Sequence, residues 1–523
     1  MLNNKSLKTL EPYLFLLLSL TILLLSFSPF LTNILNTPKD YIFTGAHNYP
    51  PDYMFYLAQI KAGLDGHLLP QNQFTTDSAS KPTLSELYLS LLGFLSRPLN
   101  PNQVFLYHLS RLAIGSLYLL VIYYFLSLFL KNPLERLCAF SLSIFTSSLP
   151  KFENGQLSIF LSQHTFLDAL FRPTFIPQHL LRHLFLYLLI IFFLKKNLPL
   201  LIIFSFLLAL SAPHSSLIFL LTTFVFLAVN SAKKQKTAKQ SLLLLAVLFF
   251  PALIGVYFLN QSFQSPYGQT VKAWDANLLP PLPLLSFAAA LGPTFFLALP
   301  ALFNKKTYQK KFFFLPLFLF FALIFTVSPV EKFLPISHLR FLQIPLFPIL
   351  SILSIQGIKT VFKKDLFLIL VTTLSILISI PSYLYTFREQ TTYHLKNPTN
   401  FYIKKTELEA LNFLDKNTNR NEAVFTGQFN GNLLPGFTDN SVYVGHIIGT
   451  FQYAEKAQIA ENFFQGKLSP STALALFEKN EIKYIWFGED QAFFGTNLPQ
   501  TYPQLNLKII FQNLSVTIYK VNL

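Results

Sequence analysis

The chain has 523 residues, of which 52% are hydrophobic and only 12% charged, with 40 Lys/Arg against 24 Asp/Glu for a formal charge of +16. Water-soluble domains average roughly 25% charged residues, so an ordinary soluble enzyme is excluded, and fifty-nine Phe on a Leu-rich background point to a lipid solvent. The single cysteine, Cys138, lies inside an apolar run, which excludes a disulfide framework and Cys-rich metal sites.

Apolar runs near 11–33, 103–130, 134–150, 180–194, 198–212, 214–230, 241–259, 282–303, 312–329, 339–356 and 366–387 predict about eleven transmembrane helices. The first follows Lys5 and Lys8, lacks a small-residue cleavage signal and is too long for a signal-peptide core, so it reads as an uncleaved span. The stretch 84–98 is apolar but short, as suits an interfacial or re-entrant piece.

Charge then orients the spans. With the N-terminus inside, inner segments at 5–8, 131–136, 195–196, 233–239, 305–311 and 359–364 carry seventeen Lys/Arg against Glu11, Glu135 and Asp365. The short outer loops carry Lys151, Arg172, Arg182, Lys272, Lys332 and Arg340, offset by Glu153, Asp168, Asp275 and Glu331. The positive-inside rule places the N-terminus in the cytoplasm of a cytoplasmic (inner) membrane and the C-terminal part outside. The net charge is thus a topology signal and not a nucleic-acid footprint.

Residues 389–523 are a different material, with eleven Lys/Arg and twelve Asp/Glu. They predict a solvated, extracytoplasmic α/β domain after a transmembrane domain of residues 1–388. Strand-like runs fall at 423–426, 441–445, 484–488, 508–512 and 515–521, and helical patterns at 405–417, 453–465 and 471–480. Ser469 and Pro470 form an N-cap and N1 pair for the last of these.

Histidines gather on the predicted outer side. His47, His67, His164, His179, His214 and His338 fall in outer loops, His108 and His183 at outer helix ends, and His394 and His446 in the outer domain. Titratable chemistry concentrated there favours an enzyme working outside the cytoplasm. His108 and Arg111, one turn apart in the second span, would be costly facing lipid, so they face a cavity or a partner helix.

The first outer loop, 34–102, is unusually long, and long loops are commonly functional. After Pro50-Pro51, Asp52 can cap a helix whose apolar residues Tyr53, Tyr56, Leu57, Ile60 and Leu64 recur at spacings of three and four, the pattern of an interfacial amphipathic helix. The order Asp52, Tyr56, Gly63 with Gly66, Pro70, then Lys81-Pro82-Thr83-Leu84 resembles the first extracytoplasmic loop of the GT-C superfamily of integral-membrane glycosyltransferases, in its protein mannosyltransferase and lipid A aminoarabinose transferase branch. Two letters depart from that pattern: Thr83 stands where a second Pro is expected, and the acidic pair is reduced to Asp52-Tyr53. Gly427-Gln428-Phe429-Asn430-Gly431-Asn432, followed by Val442-Tyr443-Val444-Gly445-His446, is similar to the outer domain of bacterial GT-C-like proteins.

The resemblance implies a GT-C-like polytopic α-helical membrane fold with a C-terminal α/β domain. It implies transfer of a sugar from a polyprenyl-phosphate-linked donor to an extracytoplasmic glycan, lipid or protein. A carboxylate near the acceptor hydroxyl raises its nucleophilicity, a role for Asp52. The leaving phosphate needs Arg, Lys or a divalent cation. Lys81 is the family-matched contact, and Arg172 and Arg340 are further candidates. Glu153 and Asp168 are candidates for a second acid. Tyr56, His47, His179, His214 and His338 are candidate substrate contacts. The sequence contains no HExxH motif, and no metal ligand is assigned.

Two other classes compete: a catalytically silent GT-C-like scaffold, suggested by the single acid, and a transporter or flippase of lipid-linked sugars. Transport predicts mid-span charges and related halves, and beyond Arg111 the sequence offers few such charges and no evident halves. The orientation has a direct test. A reporter enzyme that matures only outside the cytoplasm is expected to be active when fused after residue 388 and silent when fused within 233–239. The opposite pattern would invert the topology.

Overall fold

A computed structural model describes residues 4–47, 49–77, 87–161, 168–232, 238–276, 283–330, 337–396 and 400–523. In chain order its helices are α1 (Asn4–Leu35), α2 (Pro50–Leu64), α3 (Leu87–Ser96), α4 (Gln103–Ser127), α5 (Pro133–Phe145), α6 (Pro177–Lys195), α7 (Leu198–Ser211), α8 (Pro213–Ala232), α9 (Ala238–Ser262), α10 (Pro266–Ala276), α11 (Leu284–Ala290), α12 (Pro293–Ala298), α13 (Phe314–Val327), α14 (Phe347–Val361) and α15 (Asp365–Lys396). The C-terminal part adds α16 (Lys405–Asn417), α17 (Gln428–Phe437), α18 (Tyr453–Phe464) and α19 (Pro470–Lys479). The strands are β1 (Tyr41–Phe43), β2 (Pro150–Glu153), β3 (Gln156–Ile159), β4 (Tyr402–Lys404), β5 (Ala423–Phe425), β6 (Ser441–Val442), β7 (Ile482–Gly488), β8 (Lys508–Gln512) and β9 (Val516–Lys520).

Among the described residues, six helices are long and apolar enough to cross a membrane: α1, α4, α6, α8, α9 and α15. The pair formed by α11 with the segment Pro293–Phe303 makes a seventh if its 102° bend is one broken span. The count of eleven is therefore not confirmed. Helices α7, α13 and α14 are apolar but have 14, 14 and 15 residues, about 21–23 Å at 1.5 Å per residue, against a hydrocarbon core of about 30 Å.

The chain divides into two compact units. The first comprises Met1–Pro29, Leu109–Leu259 and Asp275–Glu389. Helix α14 lies against α5 and α12, α6 against α7, and α13 against α8, burying Phe140, Leu189, Phe314 and Ile349. Arg136 Nε donates to Glu11 Oε1 at 2.5 Å, the Tyr123 hydroxyl donates to the same carboxylate, and Lys359 pairs with Glu135. All four charged residues belong to the set that charge alternation assigned to the inner side, and the fold gathers them at one end of this unit. Arg111 is buried as expected, donating from Nε to the Thr174 carbonyl at 2.7 Å and lying over the Phe27 ring. The tip Asn154-Gly155 of the β2–β3 hairpin has positive φ at both residues (52° and 74°), the geometry that Asn-Gly favours.

The second unit comprises Phe30–His108, Asn260–Trp274 and Gln390–Leu523. The first long loop and the C-terminal segment thus fold together. β1 pairs antiparallel with β4, and a five-stranded sheet runs in the order β6-β5-β7-β9-β8, parallel from β6 to β7 and antiparallel beyond. Residues 72 and 73 join its edge: the Gln73 carbonyl accepts from Val442 N at 2.9 Å, and Asn72 Nδ2 donates to the Gly449 carbonyl at 2.6 Å. Lys456 Nζ holds Asp77 at 2.8 Å and Thr75 at 3.2 Å. The predicted strands and helices of 405–521 all form, and Ser469 caps α19, its Oγ accepting from Thr472 N at 3.1 Å. Helix α17 is an addition. Two glycines and Pro435 lie within it, so its helicity comes from packing on α2 and not from propensity.

Helix α2 is buried around most of its circumference, including Met54, Ala58 and Ala62, where the spacing suggested a single apolar face. α3 covers one side and α17 another. The α3 contact is backbone-close. A Cβ on Gly63 would lie 2.0 Å from the Ser90 carbonyl oxygen, and one on Gly93 2.1 Å from that of Ile60. Gly63 therefore serves helix crossing, while Gly66, at φ +97°, makes the turn. Replacing Gly93 with Val is expected to cost about 1–3 kcal/mol or more through overpacking. A lower thermal midpoint of the purified membrane protein checks this; an unchanged midpoint would contradict the crossing.

Candidate functional site

The start of α2 is set by Pro50 and Pro51 at its first two positions, where a missing N–H costs nothing. Tyr49 is the N-cap residue. Asp52 is therefore not the cap, as the sequence suggested, but the third helical residue, its charge at the positive end of the helix. Its Oδ1 lies 3.0 Å from His446 Nε2, with the Asp52 side chain 39% exposed and that of His446 5%. His446 Nδ1 accepts the backbone N–H groups of Gly449 (3.0 Å) and Ile448 (3.3 Å). An imidazole nitrogen that accepts carries no proton, so Nε2–H is the donor to Asp52.

The segment from Gly427 to Asn432 sits beside this pair. Asn432 Nδ2 donates to the Pro51 carbonyl at 3.4 Å, and Asn400 Nδ2 to Asn432 Oδ1 at 3.0 Å and the Phe429 carbonyl at 3.1 Å. The Tyr453 hydroxyl donates to Gln428 Oε1 at 2.7 Å. Burial, then the nearby Asp52 carboxylate, raises the Tyr49 phenol above its ordinary value. Tyr56 stacks parallel to Tyr107 at 6.3 Å, and His47 lies among Tyr53, Tyr107 and His108 at 6.2, 5.5 and 6.0 Å between ring centroids.

The first unit holds a second, cationic group. Arg172 is buried in a short 3-10 turn, with Nη1 donating to the Gln343 carbonyl at 3.3 Å and lying 3.3 Å from His183 Nε2. His183 Nε2 itself lies 2.8 Å from that carbonyl. Arg172 Nε, His183 Nδ1 and Gln343 Oε1 are buried without a hydrogen-bond partner among the described residues. His179, Arg182 and His183 share one face of α6 by their three- and four-residue spacing. Arg182, Arg340, Arg172 and His214 all act electrostatically on His179, and Arg182 and Arg340 also act on His214. His214 is buried edge-on to Phe341, and buried His338 opens the turn that carries Arg340. Asp168 Oδ1 accepts from Leu170 N and Phe171 N at 3.1 and 3.3 Å. Burial pushes its carboxyl up to about 6.

One expected residue lies elsewhere. Glu153 is on the exposed β2–β3 hairpin, paired with Lys151 at 2.6 Å. Lys81 falls outside the described residues. No group of three or more His, Cys, Asp or Glu that could hold a metal occurs among the described residues. Sequence reasoning passed over Arg182 and His183, whose spacing from His179 was a readable signal. It also passed over the role of His446, which no local pattern connects to a residue 394 positions away.

The chain shares its fold with the solved structures of an oligosaccharyltransferase and of ArnT. Among solved structures the chain is similar to the oligosaccharyltransferase AglB from Archaeoglobus fulgidus in complex with an inhibitory peptide and a dolichol-phosphate, with TM-score 0.53, 13% identity and coverage of 94% of this chain and 72% of that one. An Archaeoglobus fulgidus oligosaccharyltransferase tethered via a disulfide bond to an acceptor peptide containing the NVT sequon gives 0.53, 11%, 98% and 74%. ArnT from Cupriavidus metallidurans gives 0.51 at 9% identity, covering 97% of both chains. At these identities the likeness is one of fold. No family model and no curated protein sequence matches the chain.

A charge cluster closes the far end of α2. Lys61 Nζ lies 2.9, 3.6 and 4.0 Å from Asp415, Asp439 and Asp65, and Arg420 contacts both Asp65 and Asp439 at 3.1 Å. Burial, then hydrogen bonding with Asp439, raises the Asp65 carboxyl from 3.8 to about 6. A raised acid binds its proton more tightly when folded, so its contribution is present below about pH 4 and lost as pH rises through about 6. Asp65→Asn is therefore expected to melt above wild type at pH 8 and to lose that advantage near pH 4. Thermal unfolding across this range checks it, and a mutant that melts lower at pH 8 would contradict it.

Proposed function

We propose that this protein transfers a sugar from a polyprenyl-phosphate-linked donor to a hydroxyl of an extracytoplasmic acceptor (a glycan, lipid or protein), with Asp52 as the base. The observation that carries the reading is the carboxylate at the start of α2. It is part-exposed, held through one oxygen by a buried imidazole, and set in a fold shared with glycosyltransferases. As the acceptor oxygen attacks the anomeric carbon, its proton passes to Asp52 and the bond from that carbon to the phosphate oxygen breaks. The phosphate leaves with the bonding electrons and needs no strong general acid, but its charge must be met by cations.

Arg172 and Arg340, joined by Arg182, are the phosphate contacts in this reading, with Lys81 as the loop's own contribution. Buried cations are expensive in lipid unless they meet a partner, and the orphaned Nε of Arg172 suits an anionic one. The solved AglB structure holds a dolichol-phosphate, a lipid phosphate of the kind this reading requires. Asp168, with its carboxyl raised by burial, is the candidate second acid. His47, Tyr56, His179, His214 and His338 are assigned to substrate contact. The N-terminus is cytoplasmic, and the domain at 389–523 faces the outside with the acceptor.

The test is transfer of labelled sugar from a panel of polyprenyl-phosphate donors by the reconstituted protein. Asp52→Asn is expected to lower kcat by about 10²–10⁴-fold. Equal transfer by wild type and variant would remove Asp52 from catalysis. No transfer by either, across the panel, would leave a non-catalytic scaffold.

A further inference from the structure

We infer that His446 is the positioning residue of Asp52: its Nε2–H occupies one carboxylate oxygen and aims the other at the acceptor hydroxyl. This rests on the reading of Asp52 as the base and adds a residue from the opposite end of the chain. Four observations converge on it.

The contact is short, 3.0 Å, and its polarity is determined. With Nδ1 accepting from Gly449 N and Ile448 N, the ring presents only a donor to Asp52. The ring is also enclosed, with its side chain 5% exposed and the Phe55 and Phe74 rings at 5.3 and 5.8 Å from it. Its backbone is pinned in turn. A Cβ on Gly431 would lie 1.8 Å from the Val444 carbonyl oxygen, and one on Gly445 2.4 Å from that of Gly431. Only two glycines permit α17 to approach the chain just before His446 so closely. Finally, Oδ2 of Asp52 takes no hydrogen bond from the described residues, and the side chain is 39% exposed. One oxygen is held, and among the described residues nothing holds the other.

A carboxylate on a helix end otherwise turns about its side-chain torsions. Fixing Oδ1 from a rigid donor selects the orientation in which Oδ2 meets the acceptor, and orientation of this kind acts on the chemical step. The glycine-rich segment and the strand that follows it then have a shared purpose: they hold the imidazole that holds the base.

The experiment uses the full chain in nanodiscs, with the donor panel above and the variants His446→Ala, His446→Gln, Asp52→Asn and the double variant His446→Ala with Asp52→Asn. His446→Ala is expected to lower kcat about 10–100-fold with KM within about twofold. His446→Gln, whose Nε2 can reach the same oxygen, is expected to restore most of the rate. In the Asp52→Asn background, His446→Ala is expected to have no further effect. Nitrogen-15 spectra of the histidine side chains supply a readout independent of turnover: His446 is expected as the Nε2–H form, its signal assigned by difference with His446→Gln and moved by Asp52→Asn.

Unchanged kcat in His446→Ala would overturn the inference, as would full multiplicative loss in the double variant or an Nδ1–H ring insensitive to Asp52→Asn. A misfolded His446→Ala leaves the Gln variant and the wild-type spectrum to decide. An active wild type with an insensitive ring sinks this inference alone. An inactive wild type sinks the glycosyl-transfer reading, and with it any role for His446 beyond a structural contact.

Discussion

The burial of helix α2 between α3 and α17 is the constraint on which the second unit depends. Met54, Leu57 and Ile60 are fully enclosed, each contributing about 1.5–3 kcal/mol relative to exposure. Enclosure on two sides requires the covering helices to come from distant parts of the chain, and it fixes the rotation of α2 about its axis. That rotation determines where Asp52 points, and the same packing brings the residues after β6 to the start of the helix. A surface helix with one apolar stripe would leave the carboxylate free to choose among orientations; a helix gripped on two sides does not.

In the first unit the corresponding constraint is electrostatic. Arg172, Arg182 and Arg340 gather among histidine and backbone groups, with Asp168 tied into its own turn. A buried guanidinium such as that of Arg172 is unfavourable by itself, so the fold sustains it only where packing elsewhere is good or an anion is at hand. The well-enclosed aromatic and aliphatic core of α4, α5, α6 and α14 supplies the packing. The glycosyl-transfer reading supplies the anion.

Much of this was legible in the sequence, for physical reasons that differ by region. Lipid imposes long apolar runs and an asymmetry of charge, so the membrane class and the grouping of Glu11, Glu135, Arg136 and Lys359 could be read before any coordinates. The C-terminal sheet was legible because alternating runs at 423–426 and 515–521 are local signals, as is the Ser469-Pro470 cap. Span lengths were not, since hydropathy does not register where Gly292 and Pro293 bend a segment or where helices stop short. α17 was hidden because Gly431, Pro435 and Gly436 argue against a helix, and only the surface of α2 overrides them. The Asp52–His446 contact was hidden for a deeper reason: nothing in either neighbourhood encodes the other.

The pairing of β1 with β4 joins residues 41–43 to 402–404, and this has a consequence for how the molecule comes into being. At roughly 5–20 residues per second of synthesis, the first loop waits roughly 20–80 s for the strand, the covering helix and the imidazole that complete it. During that interval α2 has emerged with its apolar residues uncovered on the side that α17 will take. The carboxylate is made some 394 residues before the imidazole that holds it. A nascent or truncated chain ending before residue 446 carries Asp52 without its partner, and the finished geometry certifies that translation has passed that residue.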